Sequence, residues 1–129
     1  MDLAARGAEF AEFWRERHLC TLTTVRPDGR PHVVPVGATL DLESGIARVI
    51  TSGASHKARL LAGGDGTPVA LCQVDGRRWS TLEGIAVVRT EPEQVADAVA
   101  RYTARYKPPR PNPLRVVIEI SVTRAMGTV

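Results

Sequence analysis

The chain has 129 residues, of which 43% are apolar and 24% charged, and its formal net charge is +3 at pH 7. These values predict one globular domain over residues 1–129, and they exclude a transmembrane helix because no apolar run is long enough to cross a bilayer. The basic residues are scattered along the chain, which argues against a nucleic-acid partner and fits an acidic small-molecule ligand. The residues from Met1 to Glu12 lack the apolar core of a secretory signal, so we expect a cytoplasmic protein.

The first predicted element is an amphipathic helix that ends near His18. Its apolar face contains Leu3, Phe10, Phe13 and Trp14 at helical spacing, with acids and arginines opposite. We expect this face to pack on the core.

Three strands are predicted next, over 19–25, 32–40 and 46–52. The first two form a hairpin around Arg26-Pro27-Asp28-Gly29, whose proline and glycine favour a turn. Pro35 interrupts the second strand. Because proline cannot donate a ladder hydrogen bond, that strand is expected at a sheet edge or a bulge.

The remaining predicted elements are a short helix over 56–61 that ends at Gly63 and Gly64, strands over 69–74 and 78–89, a helix after Thr90 and a last strand over 114–124. Asp75-Gly76 favours a hairpin, and Gly84 predicts a bulge. Thr90 and Glu93 predict a capping box. Six strands joined mainly by hairpins predict a mainly β (α+β) fold, a six-stranded antiparallel split β-barrel.

The most informative motif is Thr51-Ser52-Gly53-Ala54-Ser55-His56-Lys57. Here a strand ends, glycine opens the backbone, and hydroxyls and a lysine follow, which predicts a phosphate cradle. The spacing is not that of a Walker A loop. The alternative is a serine-capped surface helix with a solvated lysine.

Two further features have both a binding and a packing interpretation. Trp79 could flank a planar ring system, or it could pack on the barrel. Lys107, Arg110 and Asn112 lie on the proline-stiffened run from Tyr106 to Asn112, which could present them to a ligand or serve as a spacer.

Hydrolytic machinery is not recognisable in the sequence. There is no Gly-x-Ser-x-Gly motif and no paired-carboxylate signature, so no catalytic residue is assigned. Cys20 and Cys72 are expected to be buried thiols, and the histidines lack metal-ligand spacing with them, so no metal site is predicted. Basic groups without acid–base apparatus fit a redox protein whose bound cofactor does the chemistry.

The order of these motifs resembles a known family. The residues that carry the resemblance are His32-Val33-Val34-Pro35-Val36, Ile50-Thr51-Ser52-Gly53 with Lys57, Cys72-Gln73-Val74-Asp75-Gly76, Trp79 and Glu83-Gly84. They are similar to the flavin and deazaflavin oxidoreductases that share the split barrel of pyridoxamine 5′-phosphate oxidase. Arg105-Tyr106 followed by Pro109 to Pro113 resembles the branch that reduces biliverdin with the deazaflavin coenzyme F420.

The resemblance implies a homodimer with two cofactors in grooves at the interface. It implies that Thr51, Ser52, Ser55, His56 and Lys57 lie by the cofactor phosphate, that the backbone of Val34, Pro35 and Val36 faces the ring, that Trp79 lines the ring pocket, and that Lys107, Arg110 and Asn112 face the substrate or the partner chain. The implied function is F420H2-dependent reduction of biliverdin, a tetrapyrrole, to bilirubin. An FMN-dependent oxidase or reductase and a non-catalytic F420 carrier remain as alternatives.

Overall fold

The protein was analysed as a computed structural model that describes residues 2–62 and 64–129. The strands are β1 (Cys20–Val25), β2 (Pro31–Val36), β3 (Ala38–Asp41), β4 (Ile46–Ser52), β5 (Thr67–Asp75), β6 (Arg78–Arg89) and β7 (Arg115–Gly127), and the helices are α1 (Ala8–Arg15), α2 (His56–Leu61) and α3 (Pro92–Arg105). The strands form one curled antiparallel sheet in the order β2-β1-β5-β6-β7-β4-β3. The predicted split-barrel class is confirmed, with seven strands.

The extra strand arises because the predicted strand over 32–40 divides at Gly37. The residues before Gly37 pair with β1, whereas those after it pair with β4, at the opposite edge of the sheet. The two edge strands are therefore consecutive in the chain, and Gly37 carries the chain from one edge to the other. Pro35 lies in β2, an edge strand, as its missing N–H predicts.

The predicted N-terminal helix is also divided. A single 3-10 turn, Leu3–Arg6, precedes α1, and Gly7 between them adopts a φ of 98°. Only glycine adopts this conformation without strain, so the helix cannot run through it. The predicted apolar face is nevertheless buried, with Leu3, Phe10, Phe13 and Trp14 all in the interior.

The predicted capping box of α3 is wrong. Glu91, not Thr90, occupies the N-cap position, and its side chain makes no capping hydrogen bond. Pro92 opens the first turn, where its missing N–H costs nothing. The predicted bulge is confirmed as a register shift between Glu83 and Gly84. Gly63, one of the two glycines expected to end α2, lies outside the described residues.

The core fills the inside of the curled sheet. Its largest fully buried side chains include Phe10, Leu22, Leu71, Leu82 and Ile118, contributed by α1 and four strands. The helices cover the barrel rather than enter its sheet. Over the described part of the chain, no helix combines the length and apolar character needed to span a bilayer.

Candidate functional site

A cavity of about 240 Å³ lies where the two edges of the sheet approach each other. It is lined by Pro35, Val36, Gly37, Ile50, Thr51, Ser52, Lys57, Tyr102, Pro109, Asn112 and Arg115, and we call it the Lys57 cavity. Five residues predicted to bind a cofactor meet here: Pro35, Val36, Thr51, Ser52 and Lys57. The lining has two cations, Lys57 and Arg115, and no carboxylate. This electrostatic environment favours an anion.

Lys57 is the strongest candidate for binding that anion. Partial burial lowers the pKa of its ammonium group below the usual value, and no neighbouring carboxylate acts against this shift. A cation that has lost water without gaining a partner is stabilised when an anion arrives. Lys57 therefore has an energetic reason to bind phosphate or carboxylate.

The hydroxyl groups beside Lys57 are arranged as donors. Ser55 Oγ accepts from the Ala58 N–H and from Thr51 Oγ1, each at 3.2 Å. Ser52 Oγ accepts from the Ala54 N–H, also at 3.2 Å. Because these oxygens accept from the protein, the hydroxyl protons of Ser52 and Ser55 remain free to donate to a ligand. The serine cap of α2 that was the alternative interpretation is real, and it is compatible with anion binding.

His56 does not line the Lys57 cavity, and its ring packs against that of His32 outside it. It is exposed, and its ring centroid lies 4.7 Å from that of His32. Burial lowers the pKa of His32, and the positive charges of His56, Arg26 and Lys57 lower that pKa further. Nearby charge of a single sign makes this end of the barrel attractive to a ligand with several negative groups.

The predicted backbone contact has a structural basis in β2. This strand pairs with β1 alone, so one side of its backbone is unpaired. Val34 and Val36 both turn their side chains towards the core, and Pro35 and Val36 also line the cavity. The free backbone edge of Val34–Val36 can therefore run along a planar ring.

Trp79 is not brought to the Lys57 cavity within one chain. The backbone N–H of Trp79 donates to Thr128 Oγ1 at 3.0 Å, and Thr128 lies just beyond the last residue of β7. Ser52, in the Lys57 cavity, pairs with Arg115 at the opposite end of β7. Trp79 lies on the outer face of the sheet and is 37% exposed. If it lines a ring pocket, that pocket belongs to a second copy of the chain.

The three residues predicted to bind substrate are separated. Asn112 lines the Lys57 cavity, and its Oδ1 accepts from the Leu114 N–H at 2.9 Å, which turns the chain into β7. Lys107 lines a different cavity. The Arg110 side chain is exposed and lines neither, although its carbonyl accepts from Arg115 Nη2.

This second cavity has a volume of about 320 Å³ and is lined by Arg17, Leu19, Tyr102, Tyr106 and Lys107. We call it the Lys107 cavity. Tyr102 lines both cavities, so its ring is a wall between them. The sequence does not predict that the two cavities are adjacent, because Arg17 and Leu19 are far from Tyr102 along the chain.

Five lining residues of the Lys57 cavity were not predicted: Gly37, Ile50, Tyr102, Pro109 and Arg115. The sequence does contain an indication for Gly37, since a glycine next to a strand interrupted by proline lets another group approach the backbone closely. The approach is made by Tyr102: a Cβ on Gly37 would lie 2.7 Å from Tyr102 Cε2. Arg115 had no local signal, because only the pairing of β4 with β7 places it opposite Ser52.

Arg105 and Tyr106 hold this region together. The Arg105 guanidinium donates to the carbonyls of Glu16 and Ala38 and to Gln73 Oε1, at 2.8, 2.5 and 2.8 Å. Tyr106 donates its hydroxyl to the His18 carbonyl at 2.6 Å and accepts from the Ala38 N–H at 3.1 Å. Burial raises the pKa of Tyr106 to about 12, so the hydroxyl stays protonated. These bonds fix the chain directly after Gly37.

A larger cavity, of about 610 Å³, lies between α1, β3 and α3. It contains none of the predicted site residues. Three of its charged groups already have partners: Arg101 approaches Asp41 at 3.8 Å, and Arg105 donates to the carbonyls described above. Size alone therefore does not make it the functional site.

A curled antiparallel sheet whose two edge strands are consecutive in the chain, with a cationic cavity where those edges meet, defines a protein of the split-barrel class. Residues 7–128 match the family described as pyridoxamine 5′-phosphate oxidase, and the chain belongs to this family.

Within the family, the chain is 53% identical over 116 residues to an F420H2-dependent biliverdin reductase of Mycobacterium tuberculosis (strain CDC 1551 / Oshkosh). The aligned region covers 90% of this chain and 83% of that protein. A conserved hypothetical protein of M. tuberculosis has a similar structure, with a TM-score of 0.79 at 26% identity over 98% of this chain and 86% of the other. The fold is also that of an F420 reductase, with a TM-score of 0.71 at 22% identity over 89% and 94% of the two chains.

Proposed function

We propose that this protein is an F420-dependent oxidoreductase that reduces biliverdin to bilirubin. The observation that carries the proposal is 53% identity over 90% of the chain to a protein named for this reaction. The cationic cavity at the seam of the barrel supports it independently, because F420 is an anionic coenzyme with a flat ring. The proposal assigns the chain to the deazaflavin-using branch rather than to the FMN-dependent one.

The residues of the Lys57 cavity fit such a coenzyme. Lys57 and the hydroxyl of Ser52, which line the cavity, would hold the phosphate together with the hydroxyl of Ser55 at the N-cap of α2. Thr51 donates a hydrogen bond to Ser55, and His56 lies outside the cavity. The unpaired edge of Val34–Val36 would lie along the ring. A partly buried lysine with no carboxylate partner is the observation that favours an anion here.

The bound coenzyme would supply a hydride that bonds to the central methine carbon of biliverdin, while a proton from solvent adds to a nitrogen and the coenzyme's released proton returns to solvent. The protein's contribution is to orient both molecules at contact distance, roughly 3–3.5 Å between the reacting atoms. Neither cavity is lined by a carboxylate. We assign binding and orientation to this chain's residues, with solvent as the proton source.

The test combines binding with product analysis. The purified protein is titrated with F420 and with FMN, and F420H2 is then mixed anaerobically with biliverdin. We expect tighter binding of F420 and one bilirubin formed for each F420H2 oxidised. Menadione and a nitroimidazole serve as comparison acceptors, and biliverdin should give the highest kcat/KM.

Two other results would identify the alternatives. Tight F420 binding without turnover of any acceptor would make the protein a carrier. Preferential binding of FMN, with turnover supported by FMN alone, would make it a flavin enzyme of the same fold.

We also propose that the protein acts as a homodimer through the outer face of β1, β2, β5 and β6. This face exposes large apolar side chains: Val25 is 51% exposed, Val33 56%, Val74 65%, Trp79 37% and Ile85 39%. Apolar side chains grouped on one face favour contact with another protein surface. In the proposed dimer, Trp79 lines the ring pocket of the other chain's site, which explains why it is remote from the Lys57 cavity of its own chain.

A further inference from the structure

The Lys107 cavity combines an aromatic surface with two unpaired cations. Tyr102 and Tyr106 form one wall, with ring centroids 4.9 Å apart and an interplanar angle of 32°. Leu19, at 70% exposure, extends the apolar surface. Arg17 and Lys107 lie at its rim, both exposed. Across residues 2–62 and 64–129, neither cation forms an ion pair.

The walls of this cavity are held in place. Tyr106 is fixed through its hydroxyl, which bonds the His18 carbonyl and the Ala38 N–H. Tyr102 is held through its ring, which packs on the ring of Tyr106, and both rings lie against the backbone of Gly37. A preformed aromatic surface binds a flat ligand with little ordering cost.

The cavity is also adjacent to the Lys57 cavity, since Tyr102 lines both. A ligand with its charged groups at Arg17 and Lys107 can extend past the edge of Tyr102 towards a coenzyme ring that lies along Val34–Val36, beside the Lys57 cavity. A flat conjugated molecule with two carboxylates matches this arrangement: the carboxylates pair with the two cations, and the body lies on the tyrosines and Leu19.

We propose that the Lys107 cavity is the subsite for the carboxylate groups of the hydride acceptor, with Arg17 and Lys107 as its two carboxylate partners. This inference rests on the proposed function, because it takes the acceptor to be biliverdin. It assigns to Arg17, which no sequence motif indicated, a part in substrate specificity, and it leaves the coenzyme to the Lys57 cavity.

The test uses Arg17→Gln, Lys107→Gln and the double variant, which remove charge but keep polar side chains. Equilibrium binding of biliverdin is measured by calorimetry, and kcat/KM is measured with biliverdin and with its uncharged dimethyl ester. Each single variant should lose about three- to tenfold in biliverdin affinity and in kcat/KM, because one charge-assisted contact is lost at a solvent-exposed rim. The ester should be little affected, and the dissociation constant for F420 should not change.

Arg15→Gln is the matched control. Arg15 lies two residues from Arg17 and is likewise exposed, and its one ion pair among the described residues is with Glu12 on the surface of α1. The Arg15→Gln variant removes the same net charge at a residue that does not line the Lys107 cavity. It should leave the binding of biliverdin unchanged.

The outcomes separate the two proposals. If the unmodified protein does not reduce biliverdin, the proposed function fails. If it does, but Arg17→Gln and Lys107→Gln bind biliverdin as well as Arg15→Gln does, this inference is overturned while the function stands. Equal losses for the acid and the ester would also overturn it, because carboxylate pairing would not be the cause.

Discussion

At the scale of single residues, Lys57 is the group from which we expect the largest contribution to the free energy of anion binding at the candidate site. The ammonium is partly buried, which lowers its pKa, and the described residues that line its cavity carry hydroxyl groups but no carboxylate. In a folded protein without ligand, this arrangement is slightly unfavourable, because a charge has lost water without full compensation. A bound phosphate reverses that balance.

Lys57→Ala should therefore weaken F420 binding by roughly tenfold or more, since a charge-assisted contact contributes on the order of 1.5–3 kcal/mol. Fluorescence titration with F420 measures the effect, and circular dichroism checks the fold. Arg59→Ala is the control: Arg59 lies two residues further along α2, is exposed and does not line the cavity. If Lys57→Ala and Arg59→Ala bound F420 with equal affinity, Lys57 would be a solvated surface residue that does not contact the coenzyme.

The sequence predicts some of the residues that line the Lys57 cavity but not others. Thr51, Ser52 and Lys57 were predictable, because strand end, hydroxyls and lysine are neighbours in sequence and their chemistry is local. Tyr102 and Arg115 were not, because their places depend on how α3 packs and on the register of β4 with β7. Long-range packing and register leave no mark within a short window of sequence.

At the scale of elements, the end of α3 connects three parts of the fold. The Arg105 guanidinium reaches the carbonyls at the end of α1, the Ala38 carbonyl at the start of β3, and Gln73 in β5. Carbonyls at a helix end have no partner within the helix, and they carry partial negative charge. Arg105 satisfies them and also fixes the chain next to Gly37.

Arg105→Met should lower the free energy of unfolding by about 2 kcal/mol, because the partly buried carbonyls of Glu16 and Ala38 lose a charged donor. Urea denaturation measures this loss. The control, Arg101→Met, lies one turn earlier on α3 and removes only surface ion pairs with Asp97 and Asp41. Its cost should be about 0–1 kcal/mol. A similar loss in both variants would mean that α3 propensity, not the Arg105 contacts, determines stability.

The elements themselves were predictable where their causes are local. The hairpin at Asp75-Gly76 and the bulge at Gly84 follow from glycine and turn chemistry. The division at Gly37 was not predictable, because residues on both sides of it have strand character and only the pairing partner changes. Thr90 was a plausible cap by pattern, but the helix begins one residue later than the pattern suggests.

At the scale of the whole molecule, the candidate site and the apolar outer face occupy different parts of the barrel. The Lys57 cavity is next to the first residue of β7, whereas Trp79 contacts Thr128, just beyond the last. Val74 and Trp79 are directly paired across β5 and β6 on the outer face. In the proposed dimer, this face would connect the ring pocket of one chain with Trp79 of the other.

Val74→Lys tests both parts of that proposal. A charge placed at the 65% exposed Val74 costs little in a monomer but is desolvated in a dimer, so dissociation is expected. Analytical ultracentrifugation at micromolar concentration should show a dimer for the unmodified protein and a monomer for Val74→Lys. The monomer should also bind F420 more weakly, because Trp79 no longer reaches the site.

Ala100→Lys, on the exposed side of α3, is the control and should remain dimeric with unchanged affinity. A monomeric unmodified protein would refute the dimer. A Val74→Lys monomer with full F420 affinity would keep the interface and remove Trp79 from the cofactor site, which would leave this tryptophan the packing role that its place on a barrel strand also allows.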